Sequence, residues 1–291
     1  MRLIDALIFG LTLGGTYALV ALGLNLQYGV ARILNLAYGE MLIGAALIGM
    51  VLFTRAGLSP LIALLLIVPA AAAAGAVLYR VAFLPLVRRA RSRDALEGDS
   101  ILSTFGLLFV IQGVMLAAFG GNYMSYSYLS VPIELFGTTV AANRLLSLVV
   151  ALVLGTALFL MLTKTRIGTA LRAVAVDPAS APLVAIDVTK IAMLAFAMGT
   201  GLVAVAGVLI SMFSTFSATM GVLFTMKALI VVIMGGVGNF VGCVLAALLL
   251  GLTESFVSSY VDPGLTLAAN YAIFLLVLVF RPSGLFGKAG R

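Results

Sequence analysis

Charged and polar side chains are scarce in this chain, and they gather in three clusters that could carry chemistry. The first cluster follows Arg32 and contains Asn35, Gly39 and Glu40 at the mouth of an apolar segment. An ionisable residue at membrane depth costs about 2.5–3.5 kcal/mol on insertion scales and usually faces the bundle interior or water. We therefore expect Asn35, Gly39 and Glu40 to line a path for a solute. The alternative is that Glu40 only caps a helix near the membrane surface.

The second cluster interrupts a later apolar region with glycines and one asparagine. Its members are Gly235, Gly236, Gly238 and Asn239. Irregular backbone at membrane depth is tolerated only where it is buried in protein or lines a cavity, and broken helices offer unpaired amides to a permeating solute. We predict that these residues line the path too, with a tight cytoplasmic turn between two full spans as the alternative. Lys227 and Glu254 flank the cluster and are expected near helix ends.

The third cluster is a polar stretch between residues 164 and 190. Its charged residues are Lys164, Arg166, Arg172, Lys190, Asp177 and Asp187, with Pro178 and Pro182 between them. An excess of bases holds such a loop on the cytoplasmic side of a membrane. The pattern predicts a short helix, a turn and a second short helix presented to a soluble partner. A face of small residues, Ala170, Ala173 and Ala181, would fit a groove of that partner.

Several kinds of chemistry are excluded by what the sequence lacks. The chain has no His, and its one Cys, Cys243, lies in an apolar run, so no internal disulfide can form. The nearest match to a P-loop, Gly284–Ala289, has the wrong spacing and no hydroxyl. The net charge of +7 resides in short loops between apolar runs, so it indicates membrane orientation rather than nucleic-acid binding. We expect no catalytic residue, no metal site and no cofactor in this chain.

The surrounding sequence indicates what positions these clusters. Of the 291 residues, 63% are hydrophobic and 9% charged, with a mean hydropathy of +1.25, whereas soluble domains have about 25% charged residues. Apolar runs of about 18 or more residues without alternation predict membrane helices. The fold class is therefore an all-α, polytopic transmembrane bundle of about eight or nine segments, which forms a single domain over residues 1–291.

The apolar segments and the charges between them predict the topology. The segments are 6–28, 33–53, 60–79, 101–119, 145–162, 191–213, 222–236, 239–258 and 264–280. The loop 80–99, with Arg80, Arg88, Arg89, Arg91 and Arg93, is expected to be cytoplasmic, as are the loop 164–190 and the tail with Arg281, Lys288 and Arg291. The loop 120–143 is expected outside. Nine crossings put the tail inside, whereas a half-helix at 222–236 that dips and returns gives eight crossings and an outside tail.

Glycine pairs at a spacing of four indicate close helix packing. Gly10 and Gly14 form one pair, and Gly238 and Gly242 form another. Small residues at this spacing let two helices approach closely in lipid. We expect both pairs to serve general packing of the bundle.

Four blocks of the sequence, in the same order, resemble a known family. They are GLTLGGTYALVALGLNLQYGVARILNLAYGE (10–40), ILSTFGLLFVIQG (101–113), TRIGTALRAVAVDPASAPLVAIDV (165–188) and MKALIVVIMGGVGNFVGCVLAALLLGLTES (226–255). The chain resembles the permease subunit of branched-chain amino acid ABC importers, of the LivH type. With the spacing between the blocks, the resemblance covers nearly the whole chain.

The resemblance implies that the loop 165–188 is a coupling loop that docks on a cytoplasmic ATPase. The matching residues are Arg166, Gly168, Arg172, Ala173, Asp177, Pro178, Ala181, Ile186 and Asp187. The family usually has a Gly where this chain has Ala185, a change that would stiffen the turn. It also usually has a His where this chain has Tyr38, which removes a titrating group while Asn35, Gly39 and Glu40 remain.

The resemblance also implies an assembly in the bacterial inner (plasma) membrane. Its other members would be a LivM-like second permease, two ATPase subunits that use ATP and Mg, and a periplasmic or lipid-anchored solute-binding protein. The solute would be a branched-chain amino acid or a related small polar molecule such as another amino acid, an amide or urea. The alternative function is a self-sufficient carrier or channel, and a membrane enzyme is disfavoured by the missing catalytic groups.

Overall fold

The computed structural model describes residues 2–90, 92–135 and 138–287. Arg91 of the basic loop, and Lys288, Ala289 and Arg291 of the tail, lie outside the described residues. The helices are α1 (Arg2–Ala31), α2 (Tyr38–Ala56), α3 (Pro60–Leu78), α4 (Leu84–Arg89), α5 (Arg93–Phe119), α6 (Ala142–Lys164), α7 (Arg166–Val176), α8 (Val188–Ser211), α9 (Gly221–Gly235), α10 (Phe240–Tyr260) and α11 (Thr266–Phe280). A π-helical turn, Tyr79–Phe83, joins α3 to α4, and short 3-10 turns lie at Ala181–Val184 and Pro263–Leu265.

The predicted fold class is confirmed. Within the described residues, eight helical segments are long and apolar enough to cross a membrane. α1 and α8 are the most deeply buried of them, whereas α11 and the outer helices α3 and α5 expose most of their surface. The molecule is therefore a bundle with α1 and α8 at its centre and apolar outer helices around them.

Glycines bring α1 and α10 into backbone contact. A Cβ added to Gly10 or Gly14 would lie 2.8 Å from the Cα of Leu252 or Leu248, respectively. A Cβ on Gly251 of α10 would meet the backbone of Gly14. The prediction for Gly10 and Gly14 is thus confirmed, and Gly251 is the residue that complements them.

The second predicted glycine pair does not pack in this way. Gly238 has a φ of +79° and nothing within 4 Å of the position its Cβ would take, so it is a turn residue. Gly242 instead packs against the backbone of Gly235. The prediction of a packing pair at Gly238 and Gly242 is therefore wrong, because the helix α10 begins only after Gly238.

The two ends of the bundle carry different structures. One end, which we call the hairpin end, has the antiparallel strands β1 (Pro132–Leu135) and β2 (Thr138–Ala141), and a backbone pairing between Met124 and Phe216. The other end carries α7 and the turn at residues 236–239, which line one cavity together. We call it the module end, after the module of residues 166–187 that begins with α7.

Helix α9 is shorter than a full span but still carries the chain to the module end. Its 15 residues extend about 22 Å at 1.5 Å per residue, less than a hydrocarbon core of about 30 Å. The chain enters from the hairpin end, where Phe216 pairs with Met124, and leaves α9 beside Gly242 and the tail. There the Leu285 N–H donates to the Met234 carbonyl at 2.7 Å. The tail and the coupling loop thus share one end, as nine passages require.

Candidate functional site

Asn35, Gly39 and Glu40 lie together where α2 begins. The segment before α2 is held against α5, because the Leu34 N–H donates to the Ser100 hydroxyl at 3.2 Å. Asn35 is fully buried and its amide donates to Gln27 Oε1 at 3.4 Å. The Gly39 N–H donates to the Thr225 hydroxyl of α9 at 2.8 Å. The first turn of α2 is therefore fixed to α1 and α9.

The carboxylate of Glu40 lies against the first turn of α9. A Cβ on Gly221 would meet the Glu40 carboxyl group, and the Val222 amide interacts with the carboxylate. Neither oxygen accepts a hydrogen bond of full geometry from a described residue. An acidic group at a helix N-terminus is electrostatically favourable, and Glu40 lies both in the first turn of α2 and beside the first turn of α9. Glu40 also lines a cavity of about 760 Å³ between α2, α3 and α5, whose other lining residues are mostly apolar.

The glycine cluster forms a tight turn between α9 and α10. Gly236 and Gly238 have φ values of +97° and +79°, which favour glycine. Its amides are paired: the Gly238 N–H donates to Asn25 Oδ1 at 2.8 Å, and the Asn239 N–H donates to the Gly236 carbonyl at 3.0 Å. Asn239 Oδ1 accepts from the Gly242 N–H at 2.9 Å and so caps α10. The structure has the tight turn that the sequence left as an alternative, not a broken helix with unpaired amides.

The two predicted path clusters thus occupy the two ends of α9. Glu40 and Gly39 meet its first turn at Gly221, and Gly235 and Gly236 end it. The turn after α9 lines a cavity of about 820 Å³ at the module end, together with Arg32 and Arg172. A single short helix therefore connects the surroundings of Glu40 with those of the coupling loop.

The stretch from 166 to 187, which we call the module, has the helix and turn that its sequence predicts. Thr165 caps α7, since its hydroxyl accepts from the Gly168 N–H at 3.1 Å. Asp177 organises the turn: its Oδ1 accepts from the Ala179 N–H at 3.0 Å, and its Oδ2 accepts from the Ser180 hydroxyl at 2.6 Å. The turn leads into the 3-10 turn Ala181–Val184.

The outer surface of the module exposes large apolar side chains, and Ala181, a member of the predicted small-residue face, is not part of that surface. Leu183 is 86% exposed, and Val176 and Val184 are also exposed. Ala181 is only 3% exposed and Gly168 packs on the backbone of Leu162, so both lie inside the module. The predicted small-residue face that includes Ala181 is therefore wrong.

The remaining predicted coupling residues lie at different depths. Arg166, Arg172 and Asp187 are exposed, whereas Ala173, Asp177, Pro178 and Ile186 are half-buried. Asp187 caps α8, and the hydrogen bond from the Lys190 backbone N–H to Oδ1, 3.1 Å long, holds the pKa of this carboxyl below its usual range. Ala185 has a φ of +60°, the conformation that favours the glycine usual in the family.

A half-buried ionic cluster joins Lys227 and Glu254, a pairing that the sequence reasoning missed. Lys227 Nζ of α9 lies 2.9 Å from both carboxylate oxygens of Glu254 on α10 and 2.7 Å from the Tyr17 hydroxyl of α1. The Asn270 amide of α11 donates to Glu254 Oε2 at 3.2 Å. Four helices are thus joined by polar groups, and Lys227 and Glu254 lie more than one turn inside their helices rather than at the ends. The signal that could have found this pair is that both charges lie within apolar segments, where unpaired ions are costly.

Comparison with known proteins identifies the family. Residues 6–281 match the model described as "Branched-chain amino acid transport system / permease component". The chain belongs to this permease family.

The curated relatives span bacteria and an archaeon. The chain is 29% identical to the branched-chain amino acid permease BraD of Pseudomonas aeruginosa, over 98% of this chain and 96% of BraD. It is 27% identical to the permease LivH of Escherichia coli K12, over 96% and 94% of the two chains. It is 26% identical to a probable LivH of Methanocaldococcus jannaschii, over 83% and 77%.

A solved structure supports the fold of this permease. This chain is similar to a chain of the structure of PsaBC from Streptococcus pneumoniae in complex with Fab, with a TM-score of 0.54 and 14% identity. The likeness covers 98% of this chain and 94% of the other. Membership of the permease family, together with the eight apolar spans, makes this chain a multi-pass membrane protein and a permease component of a transport system.

Proposed function

We propose that this chain is the permease subunit of an ABC importer in the bacterial inner membrane, driven by separate ATPase subunits that use ATP and Mg. Its solute is a branched-chain amino acid or a related small polar molecule, as the names of its relatives suggest. Its partners are a LivM-like second permease, two ATPases, and a periplasmic or lipid-anchored solute-binding protein. The observation that carries this proposal is the module, where Leu183 is 86% exposed at one end of a membrane bundle.

The module has the character of a docking surface. Exposed apolar side chains, Val176, Leu183 and Val184, stand beside the exposed Arg166 and Arg172. Buried apolar centres with charged rims are typical of specific protein interfaces. Asp177 and Asp187 hold the backbone of the two turns by hydrogen bonds, so the surface has a fixed shape before a partner binds.

Helix α9 would carry the effect of docking to the solute path. Arg172 of the module and Gly238 line the same cavity at the C-terminal end of α9. Glu40 meets the N-terminal end of α9 at Gly221. We place Asn35, Gly39 and Glu40 at the membrane-depth part of the path, and Gly235, Gly236, Gly238 and Asn239 at the part that responds to the ATPases. Gly39 and Gly242 approach the backbone of α9 closely at its two ends, so we expect a shift at the module end to move α9 as a rigid rod.

The test is affinity purification of the tagged chain in mild detergent, followed by mass spectrometry. We expect a second permease and a P-loop ATPase with the native chain. Leu183→Asp should lower ATPase recovery about tenfold or more, since a charge in the apolar centre of an interface costs well over 1.4 kcal/mol, while the second permease stays bound. Val261→Asp, a matched change at an exposed residue beyond α10, should behave like the native chain.

Two outcomes would contradict the proposal. Recovery of this chain alone, with solute movement in liposomes without ATP, would favour a self-sufficient carrier or channel. Retention of the ATPase by Leu183→Asp would show that the module is not its docking surface.

A further inference from the structure

A cavity of about 530 Å³ opens near the hairpin end, between α1, α6, α9 and the segment after α8. Its volume lies within the range of roughly 300–1,000 Å³ that is usual for small-molecule sites. It differs from the other cavities because bases, an acid, hydroxyls and apolar side chains all line it. The larger cavity beside Glu40 has an acid but no base among its lining residues.

Within the described part of the chain, Arg144 is the cation of this cavity that has neither an acidic nor a hydrogen-bonding partner. Among the described residues, the ion pairs are Lys190–Asp187 and Lys227–Glu254, and no hydrogen bond involves the Arg144 side chain. Its guanidinium carbon lies 3.8 Å from the centroid of the Phe9 ring, which holds the group in place by a cation–π contact.

The position of Arg144 is unfavourable for its own helix. It lies in the first turn of α6, where the helix dipole disfavours a cation, and no acidic residue lies in that turn. A half-buried guanidinium with five donors and no acceptor is also costly to desolvate. These costs would be offset by an anionic group in the cavity.

An acidic group lies in the same cavity. Glu254 keeps 17% of its side chain exposed and Lys227 keeps 14%, so the pair reaches the cavity surface. Glu254 Oε2 accepts from Lys227, Tyr17 and Asn270, whereas Oε1 accepts from Lys227 alone among the residues that the structure describes. A carboxylate oxygen has two acceptor positions, so Oε1 can accept one more donor.

The rest of the cavity is apolar with a polar rim. Leu13, Ile210 and Phe224 line it together with the two charged groups. The hydroxyls of Ser214 and Thr215 also line it, and neither makes a hydrogen bond to a described residue. Thr215 is exposed, which places the rim toward solvent at the hairpin end.

We propose that this cavity is a binding site for a zwitterionic α-amino acid with an apolar side chain. The carboxylate of the ligand binds Arg144, its ammonium group binds Oε1 of Glu254, and its side chain packs on Leu13, Ile210 and Phe224. This inference rests on the function proposed above, because it supplies the place where the permease itself receives the solute. A ligand with only one of the two charges leaves either Arg144 or Oε1 unmatched.

The test is saturation-transfer NMR on the purified permease in detergent, without the binding protein or nucleotide. The probes are leucine, leucinamide, which lacks the carboxylate, and 4-methylpentanoate, which lacks the ammonium group. We expect leucine to bind the native chain and each analogue to bind about tenfold more weakly or worse, since each analogue lacks one charge-assisted hydrogen bond. Arg144→Gln should lose leucine binding by a similar factor, and Arg144→Lys should retain part of it.

A matched control is Arg55→Gln, which removes an exposed base from the last turn of α2 at the same end of the bundle. It should bind leucine like the native chain. The elution profile and thermal midpoint of each variant report its folding, and Arg144→Lys keeps the test decisive if Arg144→Gln unfolds.

Three results would overturn the proposal. They are the absence of leucine binding by the native chain, equal binding of leucine to Arg144→Gln, and equal binding of leucinamide. Failure of the proposed function is seen separately, because recovery of an ATPase with the tagged chain does not depend on Arg144. If an ATPase co-purifies but leucine binding does not depend on Arg144, the binding site is refuted and the importer function is still supported.

Discussion

The contact between α1 and α10 and the module are held together in different ways. In the first, Gly10, Gly14 and Gly251 let two backbones meet with no side chain between them. In the second, Asp177 and Asp187 hold turns by hydrogen bonds to nearby amides, and apolar side chains such as Leu183 remain exposed.

The difference shows how a membrane subunit separates its fixed and its responsive parts. Lipid supplies no hydrophobic force between helices, so close packing of small residues must hold the centre. The module is outside the apolar segments and is shaped by local polar contacts, which fix its backbone without using its apolar surface. That surface is then available for another protein.

The largest expected effect comes from filling the α1–α10 contact. Gly251→Leu places a side chain against the backbone of Gly14, which cannot move aside cheaply, and should cost about 3 kcal/mol. The thermal midpoint in detergent should fall by several degrees. Size-exclusion chromatography of heated samples measures this midpoint. Gly106→Leu on α5 is the control, since a Cβ there meets nothing within 4 Å. Equal midpoints for the two variants would mean that the glycine contact does not hold the centre.

A smaller effect is expected from loss of the half-buried ion pair Lys227–Glu254 in the bundle. Loss of the exposed pair Lys190–Asp187 at the module gives the direct comparison. Lys227→Met leaves Glu254 without its cation among four helices and should cost about 2 kcal/mol, less than for a fully buried pair because 14–17% of each side chain is exposed. Lys190→Met removes the partner of Asp187 in the exposed pair of the module, where the side chains are 78% and 50% exposed, and should leave the midpoint unchanged. Chemical denaturation of both variants measures this, and equal losses would refute a special role for the buried pair.

The smallest effect is expected in the module, with the opposite sign. Ala185→Gly relieves a left-handed backbone conformation that costs roughly 1–2 kcal/mol for a residue with a Cβ, offset in part by the greater freedom of glycine when unfolded. Amide exchange of residues 177–190 should slow severalfold while the global midpoint stays the same. Ala179→Gly in the neighbouring turn, where φ is not positive, should speed exchange instead. Faster exchange in Ala185→Gly would show that the turn is not strained.

Much of the fold could be predicted from the sequence because its signals are local. The apolar segments, the polar stretch 164–190 and the glycines at 10 and 14 each follow from residues close in the chain. The predicted packing of Gly238 with Gly242 failed because spacing alone does not distinguish a helix interior from a turn. The positive φ of Gly238, and Asn239 as the cap of α10, decide that question.

The sequence by itself determined that the chain is a helical membrane protein with a polar stretch at 164–190, and resemblance to a family added the permease. Hydrophobic run length and loop charge act residue by residue, and no distant partner is needed to interpret them. Only the tertiary structure decided that Glu254 pairs with Lys227 and with Tyr17, which lies 237 positions earlier in the chain. It alone decided that Arg144 lines a cavity whose carboxylate, Glu254, is paired with Lys227 instead. Such pairings depend on how the helices cross, and crossing is set by contacts between backbones that are far apart in the chain.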